Sequence, residues 1–384
     1  MQQENFYEDF IRKKRFGALD GLRAFSVVAV IWHHVSGMNY IPQLNQGFRG
    51  VDLFFAISGF LITSLLIRER SRTGKISLKN FYIRRSLRIF PLYYSVLAMY
   101  CLLVALTLSG TTKGQAFWDN LPAFLTYTSN WFVDLTKGEE GVTFYIAWSL
   151  ATEEQFYLLW PPLLILLITL FLRVTAGIYA AIALTLLQVA ASFVGEQNLL
   201  LTILINLSPA IMMASAAAII VHQPAAFRIT YRLLGGRWTA LPLAILLLAV
   251  IAADAPSLLI HTLMVLLVVT LCIREETILH LLLQLSLLTF IGAISYGMYL
   301  MHMLAANVVR RVLGHEVGID IFIGATLLVT LAAYVSFRFF ESPILRHANR
   351  FRHNPILRPY RPPKPQLLRL RAAAVECEHS LRRI

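Results

Sequence analysis

The sequence is poor in charged residues and in cysteine. Charged residues make up 14% of the 384 residues and hydrophobic residues 57%, whereas soluble domains are about 25% charged. This composition excludes an ordinary soluble globular domain. The three cysteines, Cys101, Cys272 and Cys377, form no CxxC pair and no Cys/His metal spacing. The sequence therefore predicts neither a disulfide framework nor a metal site.

Hydrophobic runs long enough to span a bilayer recur along the chain. They predict an all-α polytopic membrane protein with about ten transmembrane helices. The predicted spans are 18–38, 50–68, 91–109, 146–172, 174–194, 199–221, 238–254, 256–273, 287–308 and 318–340.

Lysine and arginine collect on one side of these spans. With the N-terminus in the cytoplasm, 28 of the 34 fall in cytoplasmic segments, including eight in 68–90 and eleven in 338–384. This positive-inside asymmetry predicts an even number of spans with both termini cytoplasmic. The same topology and attraction to anionic membrane lipids account for the net charge of +13, so no nucleic-acid partner is predicted.

Charge and proline divide the chain into three regions. A cytoplasmic basic leader occupies 1–17, and a membrane domain occupies 18–345. A basic, proline-containing cytoplasmic tail follows at 346–384, where repeated prolines interrupt helix formation.

Two ionisable residues lie inside the first hydrophobic run, Arg23 and His34. On an α-helix, residues eleven apart lie about 20° from alignment and about 16 Å apart along the axis, so both face one side. A charged arginine in hydrocarbon costs on the order of 3 kcal/mol, and such residues therefore face a cavity or a partner. In the alternative interpretation, Arg23 extends its charge to the membrane surface and His34 is a structural polar residue.

A basic stretch, FYIRRSLRIFPLYY, occupies 81–94, and its proline opens the third predicted span. Arg85 and Arg88 are three residues apart and share a helical face, with Arg84 beside them. Guanidinium groups suit phosphate, because their forked donors match its oxygens. The stretch predicts either a site for a phosphorylated cytosolic compound or a basic flank that contacts lipid headgroups.

Carboxylates stand at the outer ends of two predicted spans. Glu153 and Glu154 lie near the start of the fourth span, and because adjacent helical positions point about 100° apart, at most one faces a given cavity. Such a carboxylate is either an acid/base or histidine-orienting group, or an interfacial residue of the aromatic belt. Asp52, at the entry of the second span, pairs with Arg49, caps the helix or faces His34.

The ninth predicted span carries ISYGMYLMH, with Tyr296, Tyr299 and His302 as further candidate cavity residues. Ser295, Tyr299 and His302 share one helical face by the i, i+4, i+7 rule. A single histidine in such a position is more often structural than catalytic.

Six segments occur in the order seen in the acyltransferase-3 family of membrane acyltransferases, and the chain resembles that family over about 18–345. The segments are LDGLRA followed by His34, GVDLFFAISGFLI, FYIRRSLRIFP, WSLATEEQFYLLWP, ISYGMYLMH and FESP. The resemblance implies an O-acyltransferase, most often an O-acetyltransferase, of the bacterial plasma membrane. Its donor would be cytosolic acetyl-CoA. Its acceptor would be an extracytoplasmic sugar, for example in lipopolysaccharide O-antigen, peptidoglycan or exopolysaccharide.

The resemblance also implies roles for particular residues. The family's functional residues fall on Arg23, His34, Arg85, Arg88 and Glu153. Some members carry an appended esterase domain of the SGNH type, which this sequence lacks. We therefore expect direct acylation of the acceptor, or completion of the transfer by a separate periplasmic or extracellular partner.

These residues combine into one mechanistic hypothesis. The phosphates of CoA bind the basic stretch at 81–94, and the thioester reaches the outer half of the bundle. His34 is the general base for an acceptor hydroxyl, and Glu153 or Asp52 orients it. Arg23 steadies the donor or the buried charge, no metal takes part, and an acyl-histidine intermediate stays open.

Two alternatives compete with this hypothesis. Intramembrane histidine, arginine and carboxylate residues also mark transporters and proton-coupled channels. An acyltransferase could also modify a lipid or an amine on the cytoplasmic side, but the placement of His34 near the outer face argues against it.

Overall fold

The structure is a computed structural model that describes residues 2–13, 15–35, 45–136, 138–171, 173–195, 198–274 and 276–348. Nearly all of these residues are helical, and no strand occurs among them. The tail predicted at 346–384 lies almost entirely outside the described residues.

The helices follow one another with short connections. The first part of the chain forms α1 (Gln2–Arg12), α2 (Gly17–Val35), α3 (Arg49–Thr73), α4 (Leu78–Thr107), α5 (Thr112–Leu125), α6 (Ser129–Phe132), α7 (Gly138–Gly141) and α8 (Ala147–Phe171). The next part forms α9 (Ala176–Val194), α10 (Leu199–Ile205), α11 (Pro209–Val221), α12 (Pro224–Leu234), α13 (Ala240–Ala252) and α14 (Ser257–Ile273). The last part forms α15 (Ile278–Leu283), α16 (Ser286–Leu313), α17 (Ile319–Ser336), a π-helical turn (Phe337–Glu341) and α18 (Ser342–Ala348).

Several of these helices are long and apolar enough to cross a membrane. Six stretches meet this description: α3, α4, α8, α9, α16 and Ile319–His347. The number rises to eight if each of the bent pairs α1–α2 and α10–α11 forms one span. Helices α13 and α14 are apolar but shorter. The prediction of an all-α, multi-pass membrane protein is confirmed.

The basic stretch at 81–94 belongs to the same helix as the third predicted span. Helix α4 begins directly after Ser77, whose hydroxyl accepts a hydrogen bond from the N–H of Asn80 at 3.4 Å. It then continues through Pro91 to Thr107. The helix therefore begins well before Pro91, where the predicted span opens, because a proline removes one hydrogen bond but does not always end a helix. The arginines and the span therefore form one rigid element.

Helix α2 is central to the packing of the bundle. It contacts α3 on one side and α16 on the other, and α16 also packs on α17. Helix α3 packs on α11, which contacts α9 and α14. The α3–α11 approach depends on Gly59, because a Cβ added there would lie 2.2 Å from the carbonyl oxygen of Ile211. Small residues at helix contacts are typical of membrane bundles.

The predicted leader at 1–17 folds against the bundle. Helix α1 stacks on α12, with ring centroids 4.7 Å apart for Phe6 and Tyr231 and 5.3 Å apart for Phe10 and Phe227. The leader is therefore an ordered part of the same unit, which its charge alone did not indicate.

A buried arginine joins this leader to α3. Arg68 donates hydrogen bonds to the carbonyl oxygens of Phe10 and Lys13, both at 2.8 Å, and to Nε2 of His222 at 3.3 Å. Its guanidinium also lies 5.0 Å and 4.8 Å from the ring centroids of Phe10 and Phe16. Burial and the charge of Arg68 together lower the pKa of His222 to about 3, although its hydrogen bond to the carbonyl oxygen of Ala218 raises it. His222 is therefore neutral in this cluster.

Candidate active site

His34 and His302 form a contact between α2 and α16. Nδ1 of His34 lies 3.2 Å from Nε2 of His302, and the ring centroids are 5.0 Å apart. The helices approach closely because Gly292 of α16 faces α2; a Cβ there would lie 1.8 Å from the carbonyl oxygen of Asp20. His302 is fully buried, whereas His34 is only partly buried. Residues 268 positions apart in the chain therefore meet at one point.

Backbone carbonyls determine which nitrogen of each ring carries the proton. Nδ1 of His34 lies 2.9 Å from the carbonyl oxygen of Val30, and Nδ1 of His302 lies 2.5 Å from that of Tyr299. A carbonyl oxygen only accepts, so both Nδ1 atoms are assigned as donors. In the neutral rings, both Nε2 atoms then hold a lone pair. Nε2 of His34 is thus available as a base, and Nε2 of His302 accepts from Nδ1–H of His34.

Further polar and aromatic groups surround His34. Arg310 donates a hydrogen bond to the carbonyl oxygen of His34 at 3.0 Å. The ring of Tyr145 meets His34 edge to face at 5.9 Å between centroids, and that of His33 does so at 5.1 Å. The C-terminal end of α2 therefore combines a possible base with an adjacent cation.

Helix α8 carries the next polar groups along the bundle. The hydroxyl groups of Ser58 and Tyr157 both donate to Oε1 of Glu153. One turn earlier on α8, the hydroxyl of Ser149 forms a hydrogen bond of 2.5 Å with the hydroxyl of Tyr299. Since Tyr299 also contacts His302 through its carbonyl oxygen, Ser149 joins α8 to the part of α16 that carries the histidine.

Three arginines lie near one another on α2 and α4. Arg85 lies over the ring of Tyr157, 5.2 Å from its centroid. Arg88 is exposed, and the charges of Arg23, Arg85 and Glu341 act on it. Arg23 also pairs with Asp20 at 2.8 Å. Within the described residues, Arg85 and Arg88 make no hydrogen bond or ion pair, so their donors are available to an anion.

The structure brings some predicted site residues together and separates others. Arg84 points to Glu69, at 3.6 Å, rather than joining Arg85 and Arg88. Asp52 pairs with Arg49 at 3.3 Å, one of the three arrangements expected for it, and lies 3.2 Å from Nε2 of His261.

Two other candidates, His34 and Tyr296, have partners on other helices. The groups that contact the ring of His34 in the described chain do not include Asp52 or Glu153. Tyr296 donates to the carbonyl oxygen of Ile89 at 2.9 Å and so joins α16 to α4. Both tyrosines of the ninth span therefore hold helices together.

Sequence reasoning missed several groups of the site. Tyr157, Ser58 and Glu341 occur in the quoted segments, but the sequence does not single them out as candidates. Their partners lie far away in sequence; Ser58 and Glu153, for example, are 95 residues apart. The described residues contain no group of three or more His, Cys, Asp or Glu that could hold a metal ion.

Comparison with known proteins identifies one family. The acyltransferase-3 family, described as an acyltransferase domain, matches residues 16–338. The O-acetyltransferase OatA of Staphylococcus aureus (strain NCTC 8325 / PS 47) is 42% identical over 160 residues, which are 40% of this chain and 25% of that protein. A putative O-acetyltransferase, SACOL0978 of S. aureus (strain COL), is 35% identical over 190 residues, 46% of this chain and 29% of that protein.

These relatives are similar to the chain over only part of their length. The matched regions span less than a third of either relative. No solved structure is significantly similar to the chain.

Proposed function

The chain belongs to the acyltransferase-3 family, and from this premise we propose that it is an integral membrane O-acyltransferase. It moves an acyl group, most simply acetyl, from cytosolic acyl-CoA to a hydroxyl group of an extracytoplasmic glycan or glycosylated acceptor. The observation that carries this proposal is that two groups of polar side chains lie at different positions along the bundle. Arginines with available donors lie near one end of α2, and a histidine with an available lone pair lies at the other.

The proposal needs a topology that puts these ends on opposite sides of the membrane. We propose ten spans: the six long stretches, the two bent pairs, and the shorter helices α13 and α14. This number matches the ten hydrophobic runs, and the positive-inside asymmetry supports cytoplasmic termini. In a bacterial plasma membrane, the arginines of α4 then lie toward the cytosol and His34 lies toward the outer side.

The donor binds through its phosphates in this scheme. Arg85 and Arg88 supply forked donors that no group of the described chain occupies, and Arg23 adds a third positive charge. Guanidinium–phosphate contacts are charge-assisted and strong. Arg84 contributes when it exchanges Glu69 for phosphate.

The transfer step is redox-neutral. Nε2 of His34 takes the proton of the acceptor hydroxyl while the hydroxyl oxygen attacks the thioester carbonyl carbon. The C–O bond forms, the C–S bond breaks, and His34 returns the proton to the sulfur of CoA. In this direct route no acyl-enzyme forms; a route through acyl-His34 would add one transfer before the same products.

Glu153 and Asp52 act at a distance from the reacting atoms. Glu153 accepts hydrogen bonds from the hydroxyls of Ser58 and Tyr157. These bonds fix the ring of Tyr157, over which Arg85 lies. Asp52 holds Arg49 and His261 near the outer end of α3. We therefore propose that both support the site indirectly and do not orient His34 themselves.

The acceptor and partners follow from the family and the relatives' names. Two relatives are named O-acetyltransferases, so we propose a sugar hydroxyl as the acceptor, in lipopolysaccharide or another cell-envelope polysaccharide. A separate periplasmic or extracellular protein could receive the acyl group and complete the transfer. Lipids surround the bundle, and no step involves nucleic acid or a metal.

One observation favours a second function, a proton-coupled transporter or channel. Helices α10 and α11 meet at an angle of 57°, and broken helices are typical of transporters. Such a protein would use the histidines and arginines as a proton path. It would bind no acyl-CoA, which separates it from the acyltransferase.

An acyl-transfer assay tests the proposal. Purified protein in lipid receives radiolabelled acetyl-CoA with and without a panel of bacterial glycans, beside the His34→Ala variant. We expect label on a glycan only with His34 intact, because removing a general base costs about 10² to 10⁴-fold in rate. Absence of both turnover and acyl-CoA binding by the wild-type protein would overturn the proposal.

A further inference from the structure

A second histidine, His302, contacts the Nδ1 side of the His34 ring. His302 lies on another helix, is fully buried, and places Nε2 3.2 Å from Nδ1 of His34. Its own ring is fixed from the other side by the carbonyl oxygen of Tyr299, at 2.5 Å. The hydroxyl of Tyr299 is in turn held by Ser149 at 2.5 Å and by the carbonyl oxygen of Ile146 at 3.1 Å. His302 is therefore held in place by groups of two helices.

The proton positions determine which histidine donates and which accepts in the contact between His34 and His302. Because Nδ1 of His302 donates to a carbonyl oxygen, its Nε2 can only accept when the ring is neutral. Nδ1–H of His34 is shared between the carbonyl oxygen of Val30, at 2.9 Å, and this lone pair. The reactive Nε2 of His34 consequently points away from both of these contacts.

We propose that His302 is the positioning residue of His34 in the transfer reaction. Its Nε2 accepts the hydrogen bond from Nδ1–H, which orients the ring and stabilises the imidazolium that forms when His34 takes the acceptor's proton. The inference rests on the proposed function and adds a residue to it. In a Ser-His-Asp triad a carboxylate does this work; here an uncharged ring does it.

The surroundings of His34 explain why a neutral partner suits this position. The charged or titratable groups that face His34 are His33 on its own helix, His302 and Arg310 on α16, and Tyr145 before α8. The cation of Arg310 opposes a second positive charge on the ring. A lone pair at 3.2 Å compensates this opposition directly, without the cost of another charge in the membrane interior.

The carboxylates considered for this role have other partners. Glu153 accepts from Ser58 and Tyr157, and Asp52 pairs with Arg49 and lies 3.2 Å from Nε2 of His261. Among the described side chains, His302 is the polar group within hydrogen-bonding distance of the His34 ring. Its position therefore fits the role that sequence reasoning gave to a carboxylate.

The test compares two substitutions of His302 in the full-length protein in lipid. His302→Leu removes the lone pair and keeps the bulk apolar, whereas His302→Gln keeps an acceptor oxygen near the position of Nε2. His222→Leu is the control, because it removes another buried histidine from a different cluster. For each protein, kcat and the KM values for acetyl-CoA and acceptor are measured per folded molecule, beside the melting temperature.

We expect His302→Leu to lower kcat about 10 to 100-fold, the usual effect of losing such a supporting partner, with both KM values within twofold. His302→Gln should recover most of this loss. His222→Leu should lower the melting temperature while leaving kcat per folded molecule unchanged. This separation of kcat from KM and from stability is what a purely structural role would not give.

Three results would overturn the inference. Normal kcat in folded His302→Leu would show that the lone pair is dispensable. A loss in His302→Gln as deep as in His302→Leu would show that the acceptor is not what matters. A wild-type protein without acyl transfer would defeat the proposed function and this inference together, whereas the first two results leave the proposed function intact.

Discussion

Arg68 and Arg88 lie on neighbouring long helices and have opposite surroundings. Arg68 is buried, and it donates to two carbonyl oxygens and to His222 between two phenylalanine rings. Arg88 is exposed and has no hydrogen bond within the described chain, and two other arginines act on it. The first arginine has its donors satisfied by the protein. The second has donors that remain available to a ligand.

This difference assigns Arg68 to the stability of the fold and Arg88 to the binding of a ligand. A cluster of like charges opposes folding, because unit charges of the same sign repel one another at short range. Among the described residues, Glu341 acts on Arg88 and Asp20 pairs with Arg23, each supplying one opposite charge. An incoming phosphate would relieve the repulsion and use the free donors at once. The arrangement is therefore expected of a site for an anionic ligand.

The largest effect on kinetics should come from removing Arg85 and Arg88, whose donors have no partner among the described residues. In the double variant Arg85→Ala/Arg88→Ala we expect the KM for acetyl-CoA to rise about 100-fold, since each charge-assisted hydrogen bond contributes about 1.5–3 kcal/mol. The KM for the acceptor should change little. Steady-state kinetics with each substrate varied in turn measures both values.

Stability provides the control for this variant. Loss of two neighbouring positive charges should leave the melting temperature unchanged or raise it. An unaltered dependence on acetyl-CoA in the folded double variant would assign these arginines to topology and lipid contact.

Arg68→Ala should have a smaller effect, and it should change stability instead of the KM for acetyl-CoA. This change leaves two carbonyl oxygens and His222 without their donor, so we expect a loss of about 2–4 kcal/mol in stability. The KM for acetyl-CoA, measured on the folded fraction, should stay within twofold of the wild-type value. Thermal unfolding in lipid and kinetics on the same sample test both statements. A large rise in KM at unchanged stability would remove the distinction between the two arginines.

The smallest effect concerns pH and the neutral His222. Its pKa is about 3 in the folded protein and 6.5 for an unperturbed histidine. Between these values the unfolded chain holds a proton that the folded protein does not, so stability falls as the pH drops below about 6.5. His222→Gln keeps an acceptor for Arg68 but does not titrate. We expect its melting temperature to fall less between pH 7 and pH 5 than that of the wild-type protein; equal slopes would contradict this.

The sequence predicted the helices well, because hydrophobic length is a local property. Each predicted span coincides with a long helix, a bent pair or a shorter apolar helix. The hydrophobic pattern did not indicate that the helix of the third span starts before Pro91 and includes the basic stretch at 81–94. It also treated the leader only as a charged segment, because the α12 surface that holds the leader lies more than 200 residues away in sequence.

The sequence supplied candidate site residues but little about which of them contact one another. A single helical face correctly grouped Ser295, Tyr299 and His302, all of which are buried. No pattern in the sequence could indicate that His302 contacts His34, or that Asp52 contacts His261, because these pairs depend on how distant helices pack. Arg84 and Arg85 are adjacent in sequence, yet α4 turns one toward Glu69 and the other toward Tyr157.

Equilibrium binding of radiolabelled CoA in lipid tests most directly the claim that binding and chemistry lie at opposite ends of the bundle. The account predicts that His34→Ala binds CoA as tightly as the wild-type protein although it does not transfer acetyl. It predicts that Arg85→Ala/Arg88→Ala binds about 100-fold more weakly, through loss of two charge-assisted contacts. Wild-type affinity in the double variant, or loss of binding in His34→Ala, would contradict it.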